Sequence, residues 1–241
     1  MKKIWLLISV IFLNCADHAN CIFSGKNSIV EYQLSAFNEV EIPKNVTVQI
    51  VPDTIYKVKI YAKEDILPHI KHQQNYQRLI ISNSAICQSF QSSENALIQL
   101  HTPTIEKIYS KTQHKVFSLD TLHFPTIKII NNSYSKVGST HFDLLVNSDY
   151  IYLEDNQVAK FELKGKTKKL SIALYGGNCS VHAQQLKADT VQMYQRSNQH
   201  LYVHPLHKIV GTIASTGNVY ASYRPAQIDV QELYKGSLIF E

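Results

Sequence analysis

Three asparagines, Asn178, Asn198 and Asn218, stand 20 and 20 residues apart near the C-terminal end of the chain. Four other columns keep the same step. They are Val181, Leu201 and Ala221; Ala183, Val203 and Tyr223; Leu186, Leu206 and Ala226; and the pair Pro205 and Pro225. A unit this short cannot bury its own apolar face, so it must stack on its neighbours. Leucine-rich repeats share the length but need an LxxLxL pattern that is missing. The left-handed hexapeptide helix and the Gly/Asp calcium-binding nonapeptide are missing too. What remains is an all-β architecture: a right-handed parallel β-helix, or a related β-solenoid, with about 20 residues per coil. The upstream strands drift around that period, Leu170 to Val191 being 21 residues and Val191 to Ile209 being 18. Thr104 to Ala226 then holds about six coils, a rod of roughly 30 Å at ~4.8 Å per coil.

The repeated polar positions suggest how the coils turn. Asn tolerates the left-handed backbone that tight corners require, and stacked Asn side chains can hydrogen-bond along a rod. Gly177, Asn178, Asn198, Gly217 and Asn218 are therefore expected as structural turns. Ahead of the repeats, Val46–Val51, Tyr56–Ala62, Arg78–Ser82 and Ala96–Leu100 read as strands by alternation of apolar and polar residues. Glu64–His72 reads as a short helix, and Asn83–Asn95 as a polar loop. Low charge (18% Asp, Glu, Lys and Arg) and 14 Tyr agree with β-structure.

At the N-terminus, Lys2 and Lys3 precede an uncharged apolar run, Ile4–Leu13. That is the pattern of a secretory signal and is too short to span a bilayer. The expected division is residues 1–20 as signal peptide and 21–241 as a single β-solenoid domain. The protein is thus expected to be exported to the periplasm, cell surface or medium, with no membrane span. Cleavage near Ala16 or Ala19 is favoured. The alternative is a lipid anchor at Cys15, although Asn14 is not the small residue such anchors favour before the Cys. Net charge is +5. Loss of Lys2 and Lys3 leaves about +3, too small and dispersed to argue for nucleic acid. Of Cys15, Cys21, Cys87 and Cys179, the expected bridge is Cys21 with Cys87, unpaired thiols being the alternative.

These residues resemble a bacterial family, the putative auto-transporter adhesin head GIN domain. The resemblance rests on Phe37-x-x-Val40-x-Ile42, Val46-x-Val48-x-Ile50 and Val58-x-Ile60-x-Ala62, then Ile66–Ile70 and Leu79-Ile80-Ile81. It continues in Gly176-Gly177-Asn178, Gly217-Asn218-Val219-Tyr220 and Pro225, and so covers residues 35 to 226. The chain departs from the family in having fewer turn glycines: Asn198 follows Ser197. The resemblance implies a right-handed β-helix similar to pectin-lyase folds and an adhesive role without catalytic residues.

Chemistry-bearing motifs are sparse. P-loop, GxSxG, HExxH and Rossmann patterns are missing, and no cofactor is implied. Asp143, Asp149, Glu154, Asp155 and Glu162 are the candidate acids for polysaccharide cleavage, which needs two carboxyls roughly 5–10 Å apart. Glu154 and Asp155 point to opposite faces of a strand, and the five read better as solvated charges. His200, His204 and His207 are too spread along a strand to share a metal. Lys164, Lys166, Lys168 and Lys169 read as a solvated turn. No catalytic and no metal residue is assigned. The expected binding face is aromatic: Tyr150, Tyr152, Tyr202 and Tyr220, with Tyr150 and Tyr152 on one side of their strand. The functional expectation is a non-catalytic module binding a surface protein or glycan. A polysaccharide lyase or hydrolase on the same fold and a structural envelope protein are the alternatives.

Overall fold

A computed structural model describes residues 25–85, 96–131 and 139–241. Its strands are β1 (Asn27–Gln33), β2 (Glu39–Ile42), β3 (Val46–Pro52), β4 (Lys57–Lys63), β5 (Ile70–Asn75), β6 (Arg78–Asn83), β7 (Ala96–Thr102), β8 (Lys107–Ser110) and β9 (Lys115–Ser118). They continue as β10 (Thr126–Asn131), β11 (Ser139–Asp155), β12 (Val158–Leu174), β13 (Ser180–Gln195), β14 (Leu201–Ile213), β15 (Val219–Ala221), β16 (Gln227–Glu232) and β17 (Leu238–Phe240). The strands stack into a β-solenoid of about six turns.

Two parallel ladders run its length. The first is β6–β2–β8–β10–β11–β12–β13–β14–β16. The second is β7–β3–β9–β11–β12–β13–β14–β15–β17. The long strands β11 to β14 bend, so their early residues join the second ladder and their late residues the first. In the first ladder, Ile108, Ile129, Leu153, Ile172, Met193, Gly211 and Val230 lie one above another. Their separations of 21, 24, 19, 21, 18 and 19 residues are the sequence period with its drift.

The core follows from parity. Alternate side chains point inward, and parallel stacking sets each over its counterpart in the next coil. The inward column of the second ladder runs Ile98, Val48, Val116, Phe142, Phe161, Val181, Leu201 and Val219, all buried. Phe142 and Phe161 stack with ring centres 5.0 Å apart.

The coils do not follow chain order at the N-terminal end. The β2–β3 coil sits between the β6–β7 and β8–β9 coils, so Val40 lies between Leu79 and Ile108. Three strands beyond it pair antiparallel: β5 with β6, β4 with β7, and β1 with β4. They end the parallel stacking on that side.

Two expectations need correction. Glu64–His72 is not a helix: only Leu67–His69 forms a single 3-10 turn, and β5 begins at Ile70. Pro68 lacks the N–H that a continuing helix would use. The 20-residue register also fails, first after Ala183, where Pro205 stacks on Ala188, and again at its third member. Val181 stacks on Leu201, but Leu201 stacks on Val219 and Val203 on Ala221. That turn is two residues shorter, so Asn218 lies beside His200 rather than in line with Asn198.

The shared corner between the end of the first ladder and the start of the second holds a buried polar stripe. Where the chain leaves a ladder, its backbone groups lose their inter-coil partners and side chains must replace them. Thr112 Oγ1 donates to the Val46 carbonyl (2.6 Å), and Ser110 and Thr140 hydroxyls lie 3.1 Å apart. Asn131 Nδ2 donates to Asp155 Oδ1 (2.6 Å), and the Gln157 N–H to Asp155 Oδ2 (3.0 Å). Ser197 Oγ donates to the Cys179 carbonyl (2.7 Å), and Gln195 Nε2 to the Gln199 carbonyl (2.7 Å).

Candidate functional site

The outward side chains of the first ladder carry the first two of the expected binding residues. Tyr150 and Tyr152 alternate with buried Ile151 and Leu153, so both rings leave the same side of β11. In the next coils Tyr152 is followed by Ser171 and Gln192, while the neighbouring outward column runs Glu154, Ala173 and Tyr194. Small Ser171 and Ala173 between larger side chains leave a hollow of ≈ 250 Å³. Tyr150, Tyr152, Tyr175, Tyr194, Lys169 and Gln192 are among the residues lining it.

The rings of this hollow are held but not covered. Tyr152 Oη donates to Glu154 Oε2 across 2.6 Å. Burial, and then the Glu154 carboxylate, push the Tyr152 phenol well above its ordinary range, so it stays a donor. Lys169 Nζ sits 5.9 Å from the Tyr150 ring centre. Tyr175 and Tyr194 lean together at 5.8 Å with a tilt of 42° and remain 49% and 37% exposed. Tyr175 and Tyr194 are not among the four residues of the expected binding face. The signal that joins them to Tyr152 is the coil period, which brings residues of successive turns side by side.

Tyr202 and Tyr220 stand elsewhere. They project from the second ladder, stacked on each other at 5.1 Å and 12°, with His182 stacked on Tyr202 at 5.1 Å and 17°. His200 adds edge-on contacts to both. The four expected binding residues therefore form two groups on two ladders, not one face. In the second group each ring covers its neighbour's flat surface.

The turn asparagines depart from expectation in backbone conformation but not in amide hydrogen bonding. Gly177 has φ +77°, and a Cβ there would meet the Gln157 carbonyl oxygen at 1.8 Å. A Cβ at Gly217 would meet the Gln199 carbonyl oxygen at 1.9 Å, so this glycine serves close approach. None of Asn178, Asn198 and Asn218 is left-handed; among the described residues only Asn45 and Tyr76 are non-glycines with positive φ. The asparagines act through their amides instead. Asn198 Nδ2 donates to Asn178 Oδ1 (3.4 Å), and Asn218 Oδ1 accepts from the Ser237 N–H (3.0 Å).

Of the five candidate acids, Asp155 is not solvated. It is 0% exposed, inside the corner, and its pKa is raised by burial against the opposing pull of Asn131. Its parity with Ile151 and Leu153 was the available signal. Asp143 and Glu162 are brought together as register partners on the outside of the second ladder. Both are tied to cations: Asp143 to Lys115 (2.7 Å), and Glu162 to Lys160 and to His141 (2.8 Å). Lys160 foremost, then His141, hold the Glu162 carboxyl down to about 2. A glycosidase acid needs its pKa raised, and Glu162 is shifted the other way. Asp149 pairs with Lys168 at 2.8 Å.

The histidines find separate partners. His200 Nδ1 accepts from the Asn218 N–H (3.0 Å), His204 Nδ1 lies 2.9 Å from Ser222 Oγ, and His207 lies 4.0 Å from Asp189. Among the described residues no group of three or more His, Cys, Asp or Glu is placed to hold a metal ion. Cys179 is buried and unpaired, while Cys15, Cys21 and Cys87 lie outside the described residues, as does the expected signal segment. No helix among the described residues is long and apolar enough to cross a membrane.

The family model described as putative auto-transporter adhesin, head GIN domain, matches residues 36–225. A putative adhesin from Bacteroides fragilis aligns with a TM-score of 0.79 at 16% identity, over 91% of this chain and 99% of its own. A putative adhesin from Parabacteroides distasonis aligns at 0.61 and 12% identity, over 91% and 98%. A putative lipid binding protein from the same species aligns at 0.57 and 10%, over 90% and 98%. At these identities the likeness is one of fold. No curated protein matches the chain.

Proposed function

This chain belongs to the family of the putative auto-transporter adhesin head GIN domain, and from that premise we propose that it is an exported, non-catalytic adhesion module that holds a glycan on the outer side of its first ladder. The observation that carries the reading is the hollow bounded by Tyr150, Tyr152, Tyr175 and Tyr194. Sugars present an apolar C–H surface and a rim of hydroxyls. Open tyrosine faces suit the first, and Lys169, Ser171 and Gln192 suit the second. The Tyr202–Tyr220 stack is the weaker candidate, because its rings already cover each other.

The pairing of Asp143 and Glu162 with cations supports a binding role over cleavage. Apolar residues 4–13 behind two lysines, and the adhesin family, support export to the envelope.

A glycan array followed by calorimetric titration of the best binder tests the reading, with Tyr175→Ala and Tyr194→Ala as variants. Both residues are exposed enough for the fold to survive. The expected result is binding by the parent and at least about tenfold weaker binding by each variant, a loss of about 1.4 kcal/mol. Unchanged affinity in both variants would sink the site. Binding to lipid vesicles with none to any glycan would replace the ligand class.

A further inference from the structure

A second hollow lies on the same side of the first ladder, at its N-terminal end. It measures ≈ 480 Å³ and is lined by Glu39, Asn75, Tyr76, Gln77, Arg78 and Ile80. Tyr76 is its outstanding feature. The side chain is 96% exposed, at the first of two residues joining β5 to β6, and its φ is +52°. A bulky residue at positive φ is costly, and glycine is the usual occupant of such a hairpin position. Neither solvation nor local geometry rewards a tyrosine there.

The ring's base is firmly placed. The Gln77 carbonyl accepts the N–H groups of Asn38 and Glu39, both at 3.0 Å. Gln74 Nε2 donates to the Ser35 and Ala36 carbonyls at 3.0 and 2.9 Å. The turn is thereby clamped to the chain entering β2, so the ring stands on a fixed mount.

Two cations beside it share one carboxylate. Arg78 donates through Nε and Nη2 to one oxygen of Glu39 (2.9 and 2.7 Å), and Lys107 holds the other oxygen at 2.7 Å. The Arg78 guanidinium also lies 4.4 Å from the Tyr109 ring centre. What the hollow offers is an open ring beside amide and guanidinium groups. That chemistry suits a polyhydroxylated ligand, whose hydroxyls the amides and the guanidinium can bind.

The ladder register connects the two hollows. Arg78, Glu39, Lys107, Lys128 and Tyr152 are successive partners in one outward column. Four steps at ~4.8 Å separate the first from the last by about 19 Å along the rod. We infer that the Tyr76 hollow and the Tyr152 hollow are two subsites for one extended oligosaccharide lying along the solenoid axis. This rests on the glycan reading of the Tyr152 hollow and deepens it.

Calorimetric titration with maltose, cellobiose and chitobiose, and with their hexasaccharides, tests the inference on the parent, Tyr76→Ala, Tyr76→Gly and Tyr194→Ala. At least one hexasaccharide is expected to bind about tenfold or more tighter than its disaccharide, as linked subsites do. Tyr76→Ala and Tyr76→Gly should both lose that gain while disaccharide binding at the Tyr152 hollow persists. Tyr76→Gly should also raise the melting temperature, since glycine suits the positive φ, which separates loss of the ring from loss of the fold. Tyr194→Ala should weaken both lengths. A hexasaccharide that binds no tighter than its disaccharide, or a Tyr76→Gly protein with parental affinity, overturns the second subsite while the Tyr152 site stands. Failure of every sugar to bind overturns both.

Discussion

Asn131 and Asp155, register partners in adjacent coils, are joined inside the solenoid by a 2.6 Å hydrogen bond from the amide to the carboxylate. Neither side chain reaches water. The bond fixes where one coil ends above another, because Asp155 also accepts the Gln157 N–H that starts the corner. Asn131→Leu should cost about 1–3 kcal/mol by leaving a buried acceptor unpaired, read by urea unfolding at neutral pH. The pKa of Asp155 is raised in the fold, so protonation favours the native state and the penalty should shrink as pH falls toward the carboxylate range. A penalty that grew on acidification would contradict this account.

Two neighbouring glycines should respond oppositely to the same change. Gly177→Ala forces a Cβ against the Gln157 carbonyl at positive φ, and about 1–3 kcal/mol of stability should go. A Cβ at Gly176 meets nothing within 4 Å, so Gly176→Ala should stay within about 0.5 kcal/mol of the parent. Thermal melting of the two variants decides it.

Glu162 sets an acid limb. Its carboxyl is held from 4.5 in the unfolded chain down to about 2 by Lys160 and His141. Stability from the Lys160 pair is therefore complete above pH 4.5 and lost as pH falls toward about 2. Glu162→Gln should flatten that part of the stability–pH curve, and an unchanged slope would show the pair to be inert.

The ring stack on the second ladder should matter to folding and not to sugar. Tyr202→Ala breaks contacts with both His182 and Tyr220, and about 1–3 kcal/mol should be lost from two aromatic pairs. Glycan affinity should match the parent in the same titrations. A large affinity loss would move the binding face to this ladder.

Cys179 should be chemically silent in the native state. Burial foremost, then the Asp155 carboxylate, push its thiol pKa up, and the thiolate is the reactive form. In a protein with Cys15, Cys21 and Cys87 changed to Ser, a maleimide should label Cys179 only after denaturant is added. Rapid labelling without denaturant would show that the corner opens.

Much of the architecture was legible along the chain. Alternation of apolar and polar residues is a local property, set by the two-residue pleat. It marked β3, β4, β6 and β7. The repeat period required stacking, since no 20-residue unit can bury its own apolar side. The same parity rule sets Asp155 inward with Ile151 and Leu153, but its charge led to the expectation of a solvated acid, which burial overturns.

The tertiary structure alone decided which residues meet. The shorter turn between Leu201 and Val219 moved Asn218 out of line with Asn198, because corners absorb length changes that ladders cannot. The β2–β3 coil was inserted between two later ones through pairing distant in sequence. Tyr152 and Tyr194 became neighbours in one hollow, while Tyr202 and Tyr220 went to another ladder. The physical reason is common to all three. Period and parity say whether a side chain points in or out, but corner geometry and coil order determine its neighbours.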